Sequence, residues 1–175
     1  MSQAGSHARP LFVAVIGDGE PSGPDATRVL EWAETVGQLL ARAGATVITG
    51  GLGGVMLAAS RGAAEAGGRT IGILPGDDPS AANPFVAIPI ATGLGVARNL
   101  VVVTAADVVV AVGGRYGTLS EIGLALRQGR EVVTLSSWRL ESDQRVGGPQ
   151  VHRAHTPREA VQLVLSLVRT GNRKA

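Results

Sequence analysis

The sequence contains no cysteine, and this absence excludes disulfide bonds, thiolate metal sites and cysteine nucleophiles. Aromatic residues make up only 3% of the chain, so the stacked aromatic platforms of single-strand nucleic-acid binders are not expected. The arginines are scattered and the formal net charge is only +2. Without a basic stripe, nucleic acid is not an expected partner. The three histidines lack the spacing of metal ligands, and we expect no metal site.

The chain also lacks an apolar run long enough to cross a membrane. The longest candidate, residues 99–114, is interrupted by Asp107 and spans too few residues. No basic start followed by an apolar stretch and a small-residue cleavage site is present, so a secretory signal is not indicated. We therefore expect a cytoplasmic protein with no membrane partner.

The composition that remains is typical of a folded domain. Hydrophobic residues make up 45% and charged residues 17% of the chain, and these proportions disfavour disorder. A chain of 175 residues is long enough for one domain with a sizeable core and short for two. We expect that domain to be Rossmann-like and to cover residues 10–170, between a flexible arm at residues 1–9 and a flexible tail at residues 171–175.

Short apolar segments alternate with helical patterns along the chain. The predicted strands are apolar on both faces and cover residues 11–17, 45–51, 69–76, 85–92, 107–114 and 131–137. The predicted helices begin near residues 24, 52, 96, 117 and 156, and the last has Thr156 as its N-cap with Glu159 completing a capping box. Residues 141–155 are predicted to form a loop. This alternation predicts an α/β fold, a three-layer Rossmann-like sandwich with a mainly parallel sheet.

Three glycine-rich turns follow predicted strands, namely GDGEPSG, TGGLGGVM and GGRYGT at residues 17–23, 49–56 and 113–118. Ligands of parallel sheets bind beyond the carboxyl ends of the strands, and glycines let backbone N–H groups approach a phosphate closely. The spacing matches neither the dinucleotide fingerprint nor the P-loop, so NAD and ATP are not indicated. The turns instead predict a binding site for a phosphorylated small molecule, formed by Gly17, Asp18, Gly50, Gly51, Gly53, Gly54, Gly113, Gly114, Arg115, Gly117 and Thr118.

A family resemblance is carried by two segments, TGGLGGVMLAASRGAAEAGGRTIGILPG at residues 49–76 and ARNLVVVTAADVVVAVGGRYGTLSE at residues 97–121. They resemble the superfamily once mislabelled lysine decarboxylases, whose best-known members are the Lonely Guy cytokinin-activating phosphoribohydrolases. The P-G-G-x-G-T-x-x-E signature of that family falls on residues 113–121. The shorter branch with G-G-x-x-G-T-L-S-E, which includes a molybdenum cofactor carrier protein, is the most similar.

The resemblance implies catalytic roles for two residues. Glu121 would stabilise the oxocarbenium-like charge that develops as an N-glycosidic bond breaks, or orient the attacking water. Arg98 would bind phosphate or polarise the leaving group, a role that suits its permanent charge. The implied reaction is hydrolysis of a nucleoside 5′-monophosphate to a free base and ribose 5-phosphate. Asp18, at the end of the first strand, is a candidate acceptor for a ribose hydroxyl.

Two departures from the family pattern keep an alternative open. The Met-His-x-Arg-Lys stretch of the phosphoribohydrolases is GVARN here, which keeps Arg98 alone, and Arg115 stands where the signature has a glycine. These changes favour a non-catalytic carrier of molybdenum cofactor or a nucleotide sensor, whereas the retained Arg98 and Glu121 favour the enzyme. In either case no cofactor is expected to be required, and the bound ligand is expected to be a nucleotide monophosphate or molybdopterin.

The resemblance also implies an assembly, since family members are usually dimers or larger. We therefore expect a homo-oligomer. The small-residue helix over residues 53–66 and the terminal helix are the expected contact surfaces, because both offer apolar side chains.

Overall fold

Seven strands form one sheet in the computed structural model, which describes residues 9–140 and 149–171. The strands are β1 (Phe12–Gly17), β2 (Thr46–Thr49), β3 (Thr70–Leu74), β4 (Ile88–Ala91), β5 (Val108–Val112), β6 (Glu131–Leu135) and β7 (Val151–Ala154). The helices are α1 (Ala26–Arg42), α2 (Gly54–Glu65), α3 (Arg98–Thr104), α4 (Tyr116–Arg127) and α5 (Pro157–Gly171). Short 3₁₀ turns occupy Pro79–Ala81 and Gly95–Ala97.

The strand order of the sheet is β4-β3-β2-β1-β5-β6-β7, and every neighbouring pair is parallel. From β1 the chain adds β2, β3 and β4 in turn on one side. It then returns to add β5, β6 and β7 on the other side of β1. In the register of this pair, Gly17 lies opposite Val112, so the two strands end at the same level. Parallel sheets open a ligand crevice at such a reversal.

Both faces of the central strands are buried, and this explains their continuous apolar sequences. Val13 and Val15 belong to a core shared with α1, α2 and α5, whereas Ala14 and Ile16 belong to a core shared with α3 and α4. Successive side chains of a strand point to opposite faces, so one short segment supplies two cores. The predicted α/β sandwich with a parallel sheet is confirmed.

The segment predicted as a loop at residues 141–155 contains a strand. β7 pairs with β6 in parallel, with Val132 opposite Val151 and Leu135 opposite Ala154. This strand carries His152 and Arg153 and has only one neighbour, and a short polar edge strand gives no apolar pattern to detect. Residues 141–148 lie outside the described part of the chain.

The small-residue face of α2 packs on α1 of the same chain. A Cβ added to Gly37 would lie 2.1 Å from the Ala59 carbonyl oxygen, and one added to Gly62 would lie 2.0 Å from the Glu34 carbonyl oxygen. These glycines let the two helix backbones approach closely. The expectation that α2 offers its apolar face to another subunit is therefore corrected, because that face is already covered.

The expected capping of α5 is present in modified form. The Thr156 hydroxyl accepts a hydrogen bond from the Glu159 amide (3.2 Å), and the Glu159 carboxylate accepts one from the His155 amide (2.8 Å). The arm and tail expected at residues 1–9 and 171–175 fall outside the description, apart from Arg9 and Gly171. Of the helices in residues 9–140 and 149–171, none has the length and apolar character that crossing a bilayer requires.

Candidate functional site

A cleft of about 300 Å³ opens at the carboxyl ends of β1 and β5. It lies at the reversal of strand order, where the sequence predicted a ligand site. The lining joins the loop after β1, the first turn of α2, the start of α3 and the first two turns of α4, and it consists of Gly17, Asp18, Gly19, Met56, Arg98, Asn99, Arg115, Gly117, Thr118 and Glu121. The structure thus brings both predicted catalytic residues and five of the predicted binding residues into one cavity.

Arg98 is the first residue of α3 and is 8% exposed. Its guanidinium lies against Gly50, where an added Cβ would be 1.9 Å from Nη1. The recorded polar neighbour of Nη2 is the Met56 Sδ atom at 3.9 Å. Among residues 9–140 and 149–171, no carboxylate lies within 4.0 Å of Arg98. Burial lowers the pKa of Arg98, and the nearby Glu121 charge acts in the opposite direction. A buried cation without a direct counter-ion favours an anionic ligand.

Glu121 lies on the inner face of α4 and is also 8% exposed. Burial raises its pKa to about 7, and the positive charge of Arg98 offsets only part of that effect. Near neutral pH the carboxyl is therefore present in both protonation states. A group that titrates near the working pH can exchange a proton with a ligand.

Arg115 closes one side of the cleft through a paired contact with Asp18. Its Nε lies 2.6 Å from Asp18 Oδ2 and its Nη2 lies 3.2 Å from Asp18 Oδ1. The Arg115 side chain is 68% exposed, whereas that of Asp18 is 16% exposed. The main-chain oxygen of Arg115 accepts a hydrogen bond from Trp138 Nε1 (3.1 Å). The Asp18 carboxylate, expected to accept from a ribose hydroxyl, is engaged by this arginine.

The N-terminus of α4 supplies backbone donors to the cleft. Gly113 and Gly114 have φ values of +58° and +98°, and a Cβ on Gly114 would lie 2.3 Å from the Thr118 Oγ1 atom. The first helical hydrogen bond is donated by the Leu119 amide to the Arg115 carbonyl (3.0 Å). The backbone amides of Gly117 and Thr118 lie before this first bond and take no part in the hydrogen bonding of the helix. They can therefore donate to an anion.

The glycine turn before α2 has a different role. Gly54 has φ +58°, and an added Cβ would lie 2.3 Å from the Asp18 carbonyl oxygen. That oxygen accepts a hydrogen bond from the Val55 amide (3.0 Å). Gly51 is equally enclosed, since an added Cβ would lie 2.8 Å from Leu74 Cδ2. None of the predicted binding glycines of this turn, Gly50, Gly51, Gly53 and Gly54, is among the residues that line the cleft. Gly51 and Gly54 lie close to other parts of the chain, and Gly50 lies against the Arg98 guanidinium.

Three lining residues were missed by the sequence analysis, namely Gly19, Met56 and Asn99. Asn99 directly follows Arg98, so the role predicted for Arg98 was the sequence signal that could have pointed to Asn99. Met56 reaches the cleft from the first turn of α2, and an isolated methionine in an apolar helix gives no sign of such a position. No group of three or more His, Asp or Glu side chains in the described residues could hold a metal ion.

The model of the SLOG cluster4 family matches residues 10–161. The chain belongs to this family. An uncharacterized protein of Archaeoglobus fulgidus is 40% identical to this SLOG cluster4 chain over 156 residues, which are 89% of the chain and 95% of the relative. The match covers every element that lines the cleft.

Solved structures similar to this SLOG cluster4 chain include two proteins associated with molybdenum cofactor. The molybdenum cofactor binding protein of the phototrophic bacterium Rippkaea orientalis is 40% identical, with a TM-score of 0.81 over 91% of this chain and 98% of that one. The Moco carrier protein of Chlamydomonas reinhardtii is 36% identical, with a TM-score of 0.80 over 93% and 99%.

These structures correct one expectation about the ligand. The prediction that no cofactor is required, with a nucleotide monophosphate or molybdopterin as a possible bound ligand, is contradicted, although its molybdopterin alternative partly agrees with these structures. It is overturned because proteins of this fold and similarity are described as binding or carrying molybdenum cofactor itself.

Proposed function

We propose that this protein binds molybdenum cofactor in the cleft and carries it without converting it chemically. The observation that carries this proposal is Arg98, a buried guanidinium that faces the cleft with no carboxylate within 4.0 Å among the described residues. The similarity to a molybdenum cofactor binding protein and to a carrier protein supports the same ligand.

The cleft suits the phosphate-bearing end of the cofactor. Its volume of about 300 Å³ is at the lower end of the range for small-molecule sites, so part of the cofactor would stay outside. Arg98 supplies a buried positive charge, and the α4 N-terminus supplies amides that a phosphate oxygen can accept from. Arg115, held by Asp18 at the rim, adds a second cation that can turn from the carboxylate toward a bound phosphate.

Glu121 is a positioning group in this proposal. In its protonated form it can donate a hydrogen bond to a ring oxygen or nitrogen of the ligand, and in its ionised form it can accept one from an amino group. Protonation also removes a negative charge next to Arg98, which leaves that cation free for the phosphate.

Hydrolysis of an N-glycosidic bond, the reaction that the sequence predicts, is a second candidate. The observation that favours it is the pKa of Glu121, about 7, because a carboxyl that titrates near neutral pH suits general acid–base catalysis. In this reaction water would attack the anomeric carbon of a nucleoside 5′-monophosphate. The C–N bonding electrons would pass to the base nitrogen. Ionised Glu121 would orient the water and take its proton, and that proton would then pass to the departing base. The resemblance to the Lonely Guy phosphoribohydrolases supports this second candidate.

Assembly into a homo-oligomer is also a proposal. Large apolar side chains are exposed at Ile88 and Ile90 of β4, at Leu94 and Val96 before α3, and at Leu100. They lie in one stretch of the chain that includes the edge strand β4, and exposed apolar side chains that cluster on a surface are typical of contact between subunits.

The decisive experiment loads the purified protein anaerobically with molybdenum cofactor released from a molybdoenzyme and separates it by gel filtration. Molybdenum and pterin, measured in the protein fraction, should elute together with the native protein. Arg98→Gln should lower the affinity by roughly ten- to a hundred-fold, the effect of removing a charged hydrogen bond. Arg127→Gln, an exposed arginine at the far end of α4, is the matched control.

Two outcomes would contradict the carrier. One is a protein fraction without pterin, and the other is equal retention by the native protein and Arg98→Gln. A parallel incubation with nucleoside 5′-monophosphates tests the second candidate. Release of free base that Glu121→Gln abolishes would replace carriage with hydrolysis.

A further inference from the structure

A second cavity of about 140 Å³ lies at the carboxyl ends of β6 and β7, next to Trp32 of α1. It shares no lining residue with the first cleft. Six of its lining residues matter here, namely Trp32, Thr134, Ser136, Ser137, Arg153 and His155. Since a water molecule accounts for about 30 Å³ of liquid, the cavity has room for a phosphate group.

The charged groups of this cavity are basic. Arg153 and His155 line it, no acidic side chain does so, and within the described ranges no carboxylate lies within 4.0 Å of Arg153. The nearby Glu159 carboxylate is engaged by the His155 amide (2.8 Å). Arg28 lies over the Trp32 ring at 5.3 Å, but it is paired with Asp25 (2.9 Å). Arg153 is therefore the cation available to an anion.

The wall formed by the residues after β6 is strained. Ser136 has φ +50°, and it is the only residue other than glycine with a positive φ in the described part of the chain. Such a backbone conformation is energetically unfavourable for a residue other than glycine, and residues that adopt it cluster at functional sites. The next residue, Ser137, has a buried hydroxyl for which no hydrogen-bond partner exists among the described residues. The strain turns the backbone at the cavity, where the exposed Ser136 hydroxyl can donate to a ligand.

We propose that this second cavity binds the phosphate group of a small phosphorylated metabolite. Arg153 provides the planar fork that suits phosphate oxygens, Ser136 and His155 provide further hydrogen-bonding groups, and the Trp32 indole provides an apolar surface for the carbon skeleton. The tetrahedral phosphate can accept from all three polar groups at once, whereas a planar carboxylate has fewer oxygens to offer. This site does not depend on the function proposed for the first cleft.

The two tryptophans allow a direct test, because Trp32 lines the second cavity and Trp138 lies beside the first cleft. Trp138→Phe leaves Trp32 as the single reporter. Its emission should change saturably when the protein is titrated with inorganic phosphate or glycerol 3-phosphate. Sodium chloride at equal ionic strength should leave the emission unchanged, and sulfate shows whether another tetrahedral anion can replace phosphate. A tighter response to glycerol 3-phosphate would assign the site to a phosphomonoester, and an equal one to free phosphate.

Arg153→Gln in this background should weaken the phosphate response at least ten-fold, and His155→Gln should weaken it less. Arg158→Gln, on the exposed surface of α5 outside the cavity, should leave it unchanged. Arg98→Gln should also leave it unchanged, which separates this site from the first cleft. A non-saturating response, or one that Arg153→Gln preserves or Arg98→Gln removes, would overturn the proposal. Arg153 is exposed, and thermal unfolding of each variant verifies that the fold is retained.

Discussion

Two glycine-rich turns of this protein have similar sequences but differ in how closely one glycine of each is packed. The turn at residues 113–118 begins α4, and its Gly117 lines the cleft with nothing within 4 Å of an added Cβ. The turn at residues 49–56 begins α2, yet Gly54 is pressed against the Asp18 and Gly19 carbonyl oxygens (2.3 and 2.4 Å). The first turn leaves open space beside Gly117, whereas the second is packed against the protein's own backbone at Gly54.

The largest effect should come from adding a methyl group to the filled turn. Gly54→Ala combines a positive φ with contact to backbone oxygens that cannot move aside, and we expect a loss of about 4 kcal/mol in the free energy of unfolding. Denaturant unfolding of the variant measures this loss. Gly123→Ala, in α4 with open space around the added Cβ, is the control and should be as stable as the native protein or slightly more so. Equal stability of the two variants would show that Gly54 is not confined by the Asp18 and Gly19 carbonyl oxygens.

The next largest effect concerns Glu121, the buried carboxyl group of α4 that lines the cleft. The pKa of Glu121 is raised from 4.5 to about 7, so between these values the folded protein holds a proton that the unfolded chain has lost. The free energy of unfolding should therefore fall by about 3 kcal/mol as the pH rises through this window, and then level off.

Unfolding in denaturant at intervals from pH 4.5 to 8 measures this slope. Glu121→Gln cannot lose the proton, so the component that disappears in this variant belongs to Glu121. A native protein and a variant with identical pH profiles would contradict the assignment.

A methyl group in the open turn should affect binding and not stability. Gly117→Ala fits the helix without a steric clash, but its Cβ enters the space beside the α4 amides. We expect an approximately ten-fold loss of affinity for molybdenum cofactor, about 1.4 kcal/mol, with unfolding unchanged to within about 0.5 kcal/mol. Retained pterin after gel filtration measures the affinity. Unchanged retention would place the ligand away from the α4 N-terminus.

The smallest effects are expected at the rim of the cleft. The Arg115–Asp18 pair is largely exposed on the arginine side, so breaking it should change the free energy of unfolding by less than about 1 kcal/mol. Asp18→Asn removes a negative charge and frees Arg115, and it should tighten cofactor binding about three-fold. Arg115→Gly, which restores the residue of the family signature, should weaken it by a similar factor. We expect the two substitutions to change the affinity for molybdenum cofactor in opposite directions when they are measured side by side. A change in the same direction would show that Arg115 does not reach the ligand.

The sequence predicted the architecture well, because most of its strands are apolar on both faces and alternate with helical patterns. It missed β7, since Val151–Ala154 is short, polar and paired on one side only. Arg98 and Glu121 were found through a family motif. Their common burial and the raised pKa of Glu121 follow from the packing of α3 beside α4, which no local pattern records.

The sequence by itself determined the parallel sheet, and it predicted a ligand site at the carboxyl ends of the strands and at the start of α4. These depend on local periodicity and on chain order. Tertiary structure alone decided that Gly54 packs against the loop after β1, that Asp18 holds Arg115, and that Arg98 is buried without a counter-ion within 4.0 Å in the described residues. The physical reason is that the role of an N–H group or a charge depends on the atoms next to it in the folded protein. In this fold the opposing atoms come from segments far away in the sequence.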